Sequence, residues 1–281
     1  MDMPADLSVD FTPETPLVLV GAGKMGGAML SGWLKKGLNP KAVRVIDPSP
    51  PEDSAALLAG HGLDRTADAS GGFAGRVLVT AVKPQIMESV LPTLKHLIGW
   101  RTVVLSIAAG TTIATLESGL GSAAIVRAMP NTPGQIGRGV SVAVANDHVN
   151  DEGRALVTAL LQAMGEVAWV DSEKLLDAVT AVSGSGPAYV FLLVEYLAEA
   201  GVAAGLPPDL AMLLARETVA GAGELLHRSD VSAEMLRINV TSKGGTTEAA
   251  LKVLMRKGGG LKPLLVRAVE AARKRSEDLG S

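Results

Sequence analysis

The sequence contains no cysteine. Disulfides, thiolate nucleophiles and cysteine-ligated zinc or iron–sulfur centres are therefore excluded by composition alone. Histidine is scarce: His61, His96, His148 and His227 never lie three or four residues apart, so no short imidazole pair is available to a metal. All four read as surface or helix-end residues, and no metal is expected. Charge of one sign is missing too. Twenty-six basic against 29 acidic side chains leave a net charge of −3, which gives no general attraction to nucleic acid or to an acidic membrane. The densest basic cluster, residues 273–275, falls in an amphipathic C-terminal stretch, where cations at a solvated helix end are favoured by the helix dipole.

Long apolar runs are also lacking, although the mean hydropathy of +0.29 is high. The most apolar stretch, 190–194, is cut by Glu195 on one side and by Pro187 and a glycine cluster on the other. No unbroken run approaches the roughly 18 residues of a membrane helix. The first 14 residues carry Asp2, Asp6 and Asp10 and no base, unlike a secretory signal. These features predict a cytoplasmic protein without membrane or nucleic-acid partners, whose surplus apolar residues are buried in a subunit interface. With 47% hydrophobic, 20% charged and 3% aromatic residues, the 281-residue chain has the composition of a folded protein and the length of two domains.

Residues 1–14 read as a flexible leader. From Leu17 onward, short apolar runs at 17–20, 43–46, 77–82, 103–106 and 125–129 alternate with helical patterns such as 24–36 and 84–97. Continuous apolar runs of that length are the mark of buried parallel strands, and their alternation with helices predicts a doubly wound α/β sheet. Residues 140–145 and 167–170 add strands at its edge. Beyond Asp171 the pattern turns wholly helical, with segments at 173–182, 187–204, 209–227 and 261–278 and shorter ones between Ser232 and Met255. The fold class expected is α/β: a Rossmann domain over 15–171, then an all-α dimerisation and substrate domain over 172–281. The helix at 188–204 is apolar on nearly every side except Glu195 and Glu199, so it must be buried on most faces, and an intertwined dimer would do that.

GAGKMGGA at 21–28 directly follows the first strand and opens a helix. Gly21, Gly23 and Gly26 have the G-x-G-x-x-G spacing: a tight turn, a close approach for a pyrophosphate, and close helix–strand packing. Lys24 and Met25 begin the helix, whose first N–H groups face the phosphates. Asp47 ends the second strand, where a carboxylate accepts from adenosine ribose hydroxyls and repels a 2′-phosphate. That favours NADH over NADPH; Ser49 and Arg65 can serve a phosphate if the loop turns differently, so both coenzymes stay open. AVKPQ at 81–85, contributing Ala81, Val82, Lys83 and Pro84, and SIAAGTT at 106–112, contributing Ala108, lie at carboxyl ends of strands, where open α/β sheets bind ligands. Lys83 reads equally as a base or phosphate partner and as a positioning residue in the turn before Pro84.

Two segments of the helical half break its pattern. AVSGSGPAY at 181–189 reads as a loop buried between helices. In VTSKGGTTEAAL at 240–251, Gly244 and Gly245 break the chain and Thr246 or Thr247 can cap the next helix. Such a turn presents N–H groups and hydroxyls at a positive helix end, a carboxylate receptor that needs no arginine.

These segments, with RAMPNTP at 127–133, AVSGSGPAYVF at 181–191, GLPPDLAMLLARETVAGA at 205–222 and SKGGTTEAAL at 242–251, resemble in order and over nearly the whole chain the pyrroline-5-carboxylate reductase family. The resemblance implies NAD(P)H-dependent reduction of 1-pyrroline-5-carboxylate to L-proline. It implies that Ser242, Gly245, Thr246 and Thr247 hold the substrate carboxylate, that Thr247 also bonds the ring nitrogen, and that Met129, Pro130 and Asn131 line the nicotinamide side. It further implies a homodimer with exchanged helical domains, each site joining one subunit's cofactor to the other's 240s loop, and in some members a ring of dimers. Lys243 departs from the pattern, since many members carry proline there.

The chemistry agrees with what the sequence lacks. A cyclic iminium is already protonated at nitrogen, so hydride addition needs no strong general acid and rests on positioning. A β-hydroxyacid dehydrogenase would need a lysine within a helix of the second domain; none occurs in 187–204 or 210–226. A ketol-acid reductoisomerase would need clustered carboxylates for magnesium, and Glu195 and Glu199 are better read as the polar edge of an apolar helix. A non-catalytic NAD(P)-sensing protein would explain the glycine motif but not the 240s turn.

Overall fold

The computed structural model describes residues 7, 10–63, 65–71 and 74–280. Every residue of the first strand, β1 (Leu17–Val20), is buried, and alternate side chains serve different layers: Leu17 and Leu19 join one core, Val18 and Val20 the other. The period-2 geometry of a strand splits its side chains in this way only when both faces of the sheet are covered. The chain continues through α1 (Lys24–Lys35), β2 (Val43–Ile46), α2 (Glu52–Gly60), β3 (Arg65–Thr66), β4 (Gly75–Thr80), α3 (Pro84–Leu94), β5 (Ile98–Ser106), α4 (Ile113–Leu120), β6 (Ala124–Met129), β7 (Gly139–Ala145), α5 (Asp151–Leu161) and β8 (Gly165–Trp169). The eight strands form one sheet in the order β3-β2-β1-β4-β5-β6-β7-β8. All neighbours are parallel except β6 and β7. The strand order turns back at β1, between β2 and β4, so the crevice for a ligand lies at the carboxyl ends of these three strands.

One core layer holds Met29, Leu30 and Trp33 of α1 with Leu156, Val157 and Leu160 of α5. The Trp33 indole N–H donates to the Leu160 carbonyl at 2.9 Å, so the ring is buried with its polar atom satisfied. The other layer holds Met87, Leu91 and Leu94 of α3 with Leu116 and Leu120 of α4. The expected strands are all present; the two-residue β3 was not expected and pairs with β2 through Val45 and Ile46. Most of the expected leader, residues 1–6, 8 and 9, lies outside the described residues. Leu7 and Phe11, however, are buried in the core with α1, so these two residues do not behave as a free leader.

The helices after β8 are α6 (Leu175–Val179), α7 (Gly186–Ala203), α8 (Pro208–Arg228), α9 (Ala233–Asn239), α10 (Thr246–Leu254) and α11 (Leu261–Gly280). Residues 181–189 are not the buried loop that their glycines and proline suggest. A π-helical turn, Thr180–Gly184, joins α6 to α7, and Pro187 stands in the first turn of α7, where its missing N–H leaves no bond unmade.

The chain divides into two compact units, one running to Gly184 and returning at Arg273, the other Ser185–Ala272. The division falls later than the boundary expected near Asp171 because residues 173–184 are tied to the first unit. Arg127 of β6, almost wholly buried, donates to Glu173 Oε1 at 2.7 Å, and the same oxygen accepts from the Ile113 amide at 2.8 Å. The end of α11 returns to the first unit as well, where the Ser276 hydroxyl donates to Asp177 Oδ1 at 2.7 Å.

In the second unit, α7 and α8 form a helical hairpin over residues 204–207. Its seam is made of small residues: Ala198, Ala211 and Ala215 are buried, and Gly201 lies against Ala211. The large apolar side chains point elsewhere. Phe191 is 62% exposed, Leu193 51% and Tyr196 58%. The stretch Leu175–Ala203, although broken by Glu195 and Glu199, is long and apolar enough as one helical run to cross a membrane. The sequence reading, which looked for unbroken apolar residues, overlooked it.

A candidate dinucleotide site and an anion-binding turn

The glycine motif folds as its spacing requires. Gly21 has φ +93°, a region that L side chains avoid, and its N–H donates to the Ile46 carbonyl at 2.9 Å. A Cβ on Gly21 would stand 2.8 Å from the Ala81 carbonyl oxygen, and one on Gly26 would run into the carbonyl of Gly21. The loop is thus pressed between β1 and the segment after β4. Gly23 is different: nothing lies within 4 Å of where its Cβ would be. It is also the N-cap of α1, without a side-chain cap and without an acidic residue in the first turn. Open space before uncapped amides of a helix start suits a phosphate group.

A cavity of about 690 Å³ brings together Gly21, Gly23, Asp47, Ala81, Val82 and Lys83. Its apolar wall comes from Ile86, Val90 and Leu94 of α3, whose four-residue spacing was read in the sequence only as part of a helical pattern. The other cofactor candidates are placed apart. Met25 packs partly buried against the core, Gly26 and Ala108 are buried, and Pro84 is the first residue of α3. Lys24 lines a neighbouring cavity with Ser31, Asp53 and Gln135. Lys83 is exposed and supplies the backbone cap of α3.

Asp47 sits at the cavity with both carboxylate oxygens engaged. Oδ2 accepts from the Ala22 amide at 2.7 Å and Oδ1 from the Ser49 amide at 2.8 Å, so the side chain fastens the glycine loop to the end of β2. Arg65 donates to the carbonyls of Asp47 and Pro48 at 3.0 and 2.7 Å. Asp68, on the same cavity, is held below the usual carboxylate range by hydrogen bonds from the Ser70 side chain and backbone.

Met129, Pro130 and Asn131 form a second group. Asn131 Oδ1 accepts from the Val140 amide at 3.0 Å, and its Nδ2 donates to the Ser183 hydroxyl at 3.2 Å. Gly184 lies against the Met129 methyl, where a Cβ would come within 2.6 Å. The motifs at 127–133 and 181–184 therefore meet. Ser183 lies within the 181–189 motif but was not singled out there, and the Arg127–Glu173 pair was not foreseen because its members are far apart along the chain.

The 240s turn belongs to the second unit. Ser242 accepts from the Gly245 amide at 3.1 Å across a turn with Gly244 at φ +73°. Neither threonine caps the helix, as the sequence had suggested. Gly245 takes the extended N-cap conformation, φ −80° and ψ 173°, with no side-chain cap. Thr246 and Thr247 occupy the first turn instead, and the first intrahelical bond belongs to the Ala249 amide, which donates to the Gly245 carbonyl at 3.2 Å. The amides of residues 246–248 precede it and have no carbonyl of the helix to reach, and the threonine hydroxyls are not used in capping.

Fold and site together define a Rossmann-type, dinucleotide-binding oxidoreductase with a helical second domain. A family model described as pyrroline-5-carboxylate reductase dimerisation matches residues 173–279, and one described as NADP oxidoreductase, coenzyme F420-dependent, matches residues 16–110. The chain is 37% identical to pyrroline-5-carboxylate reductase of Pseudomonas aeruginosa, covering 95% of this chain and 97% of that one. Among solved structures it resembles a pyrroline-5-carboxylate reductase from Coxiella burnetii, with a TM-score of 0.87 and 35% identity over 95% of this chain and 99% of the other. It also resembles Plasmodium falciparum pyrroline carboxylate reductase with NADP bound, with a TM-score of 0.80 and 31% identity over 96% and 100%. The chain belongs to the pyrroline-5-carboxylate reductase family.

The two glycines of the motif should respond differently to alanine. Gly26→Ala forces the helix off the Gly21 carbonyl and is expected to cost about 1–3 kcal/mol of stability, as overpacking does, measurable by urea unfolding. Gly23→Ala has room and should unfold like the parent, while a raised coenzyme Kd reports the methyl group in the phosphate's path.

Proposed function

We propose that this enzyme, in the cytoplasm, reduces 1-pyrroline-5-carboxylate to L-proline, with the coenzyme in the cavity at Gly21, Gly23, Asp47 and Ala81 to Lys83, and the substrate carboxylate on the 240s turn. The observation that carries the reading is that turn: a helix start in which residues 246–248 offer amides without helical acceptors and two threonine hydroxyls are not used in capping. Oriented amides and hydroxyls at a helix start hold a carboxylate without a cationic partner. The reduced nicotinamide supplies the hydride for the imine carbon. The protein's task is to position the substrate, because the iminium nitrogen already carries its proton and becomes a neutral ring amine when hydride adds to the carbon. Ser242, Gly245 and Thr246 grip the carboxylate, Thr247 also bonds the ring nitrogen, and Met129, Pro130 and Asn131 line the nicotinamide side.

Asp47 favours NADH. Its carboxylate faces the cavity, and Arg65 donates to backbone carbonyls rather than to that carboxylate. A 2′-phosphate would therefore meet negative charge. The expected result is a kcat/KM for NADH above that for NADPH, and Asp47→Asn should narrow the gap; a strong NADPH preference in the parent would remove Asp47 from this role.

Thr247→Ala should lower kcat/KM for pyrroline-5-carboxylate by the equivalent of about 1.5–3 kcal/mol, the range for a hydrogen bond to a charged group. An unchanged kcat/KM would exclude Thr247 from the site.

The exposed apolar side chains of α7 and α8 support a homodimer in which helical domains are exchanged, so that each active site joins one protomer's cavity to its partner's 240s turn; such dimers can assemble further into a ring. Complementation tests the exchange. A variant disabled in the cavity is co-refolded with one disabled in the 240s turn. With exchange, half of the protomer pairs are mixed and each has one intact site, so activity should return to about a quarter of the parent's. Without exchange no intact site can form, and the mixture stays inactive.

A further inference from the structure

We propose that Glu248 is a positioning residue for substrate: it holds the 242–245 turn in the shape that presents the anion-binding amides. The inference rests on the reading that this turn grips the substrate carboxylate. Gly245 donates to the Ser242 carbonyl across four residues, and Gly244, third of the four, has φ +73°. That is the pattern of a type II turn, whose second position is the one that proline stiffens. Here the second position is Lys243, which leaves φ unrestricted, so the turn needs another constraint.

Glu248 supplies it. Its Oε2 accepts from the Gly244 amide at 2.6 Å, a bond from the first turn of α10 back to the middle of the turn. The bond fixes the peptide plane between residues 243 and 244, whose orientation distinguishes a type II turn from its alternatives. It also engages the Gly244 N–H, leaving the amides of residues 246–248 for an anion. Lys252, one helical turn on, stands 3.6 Å from Oε1 and steadies the carboxylate. A carboxylate at a helix N-terminus is favoured by the dipole. Yet it would also repel an incoming carboxylate, so its place beside this turn is better explained by the bond it makes than by its charge.

The test compares Glu248→Ala, Glu248→Gln and the double variant Lys243→Pro/Glu248→Ala as assembled enzyme. Glu248→Ala should raise the KM for pyrroline-5-carboxylate about tenfold, and the inhibition constant of proline in parallel, with kcat and the coenzyme KM within about twofold. Glu248→Gln keeps an acceptor oxygen and should stay within about twofold of the parent. Proline at the second turn position should restore most of the loss in the double variant. If Glu248→Ala leaves the substrate KM unchanged or lowers it while Thr247→Ala remains impaired, the positioning role is overturned and the site reading stands. If neither variant affects the substrate, the carboxylate is held elsewhere and both fail. If Glu248→Ala lowers kcat, coenzyme affinity and melting temperature together, and Lys243→Pro restores none of them, the residue is merely structural and the proposal is overturned.

Discussion

The structure depends on backbone N–H groups that no side chain claims at two helix starts, α1 after Gly23 and α10 after Gly245. Helix geometry leaves such groups without partners in every first turn, and most proteins satisfy them with a serine, threonine or aspartate. Here glycine holds both N-cap positions. Most other helix starts are closed in one of two ways: Thr112, Asn150 and Ser232 each accept from an amide of their own helix, while α2, α3, α7 and α8 have no side-chain cap but carry proline at the N-cap or in the first turn. The contrast sets the two glycine starts apart from those closed by a side-chain cap or by proline.

Keeping a helix start open requires a rigid surround. At α1 the rigidity comes from crowding. Gly21 and Gly26 are so close to Ala81 and to each other that no larger residue fits, and Asp47 ties the Ala22 amide to the end of β2. At α10 the crowding is local to the turn: nothing lies within 4 Å of a Cβ at Gly244, and one at Gly245 would meet only Ser242. Hydrogen bonds fix that turn instead, between residues 242 and 245 and between 244 and 248. The first turn is held by packing, the second mainly by a local polar network. The second kind is more sensitive to single substitutions, because a lost bond leaves the backbone free to turn.

The Rossmann half was legible because buried parallel strands leave a direct trace: short, largely apolar runs that alternate with helical patterns, the first of them followed at once by the glycine motif. β3 left none, since two residues, Arg65 and Thr66, are too few to show a pattern. The 181–189 segment misled for a different reason. Glycine, serine and proline break an isolated helix, but the π turn at 180–184 admits the glycines and the first turn of α7 admits Pro187. The 240s turn was found through its glycines, while its cap was assigned to the wrong residue; threonine has the better capping side chain, and the extended backbone at Gly245 decides the matter. Asp47 was visible as a carboxylate but not as the clamp between the Ala22 and Ser49 amides, which depends on a loop conformation that spacing does not encode. The Arg127–Glu173 pair had no local signature at all.

The contrast in burial between the two units bears on how the chemistry is organised. In the first unit every long apolar side chain of β1 and α1 has a place in one of two cores. In the second, the α7–α8 hairpin packs by alanine and glycine and leaves phenylalanine, leucine and tyrosine exposed. A helical pair that seals its own seam with small residues and turns its large ones outward is built to be covered by another apolar surface. The match of this region to a dimerisation domain identifies the kind of surface. Among the described residues no group of histidines and carboxylates could hold a metal ion, and the sequence has no cysteine. For a reaction whose substrate brings its own proton, placement is the contribution a protein most needs to make.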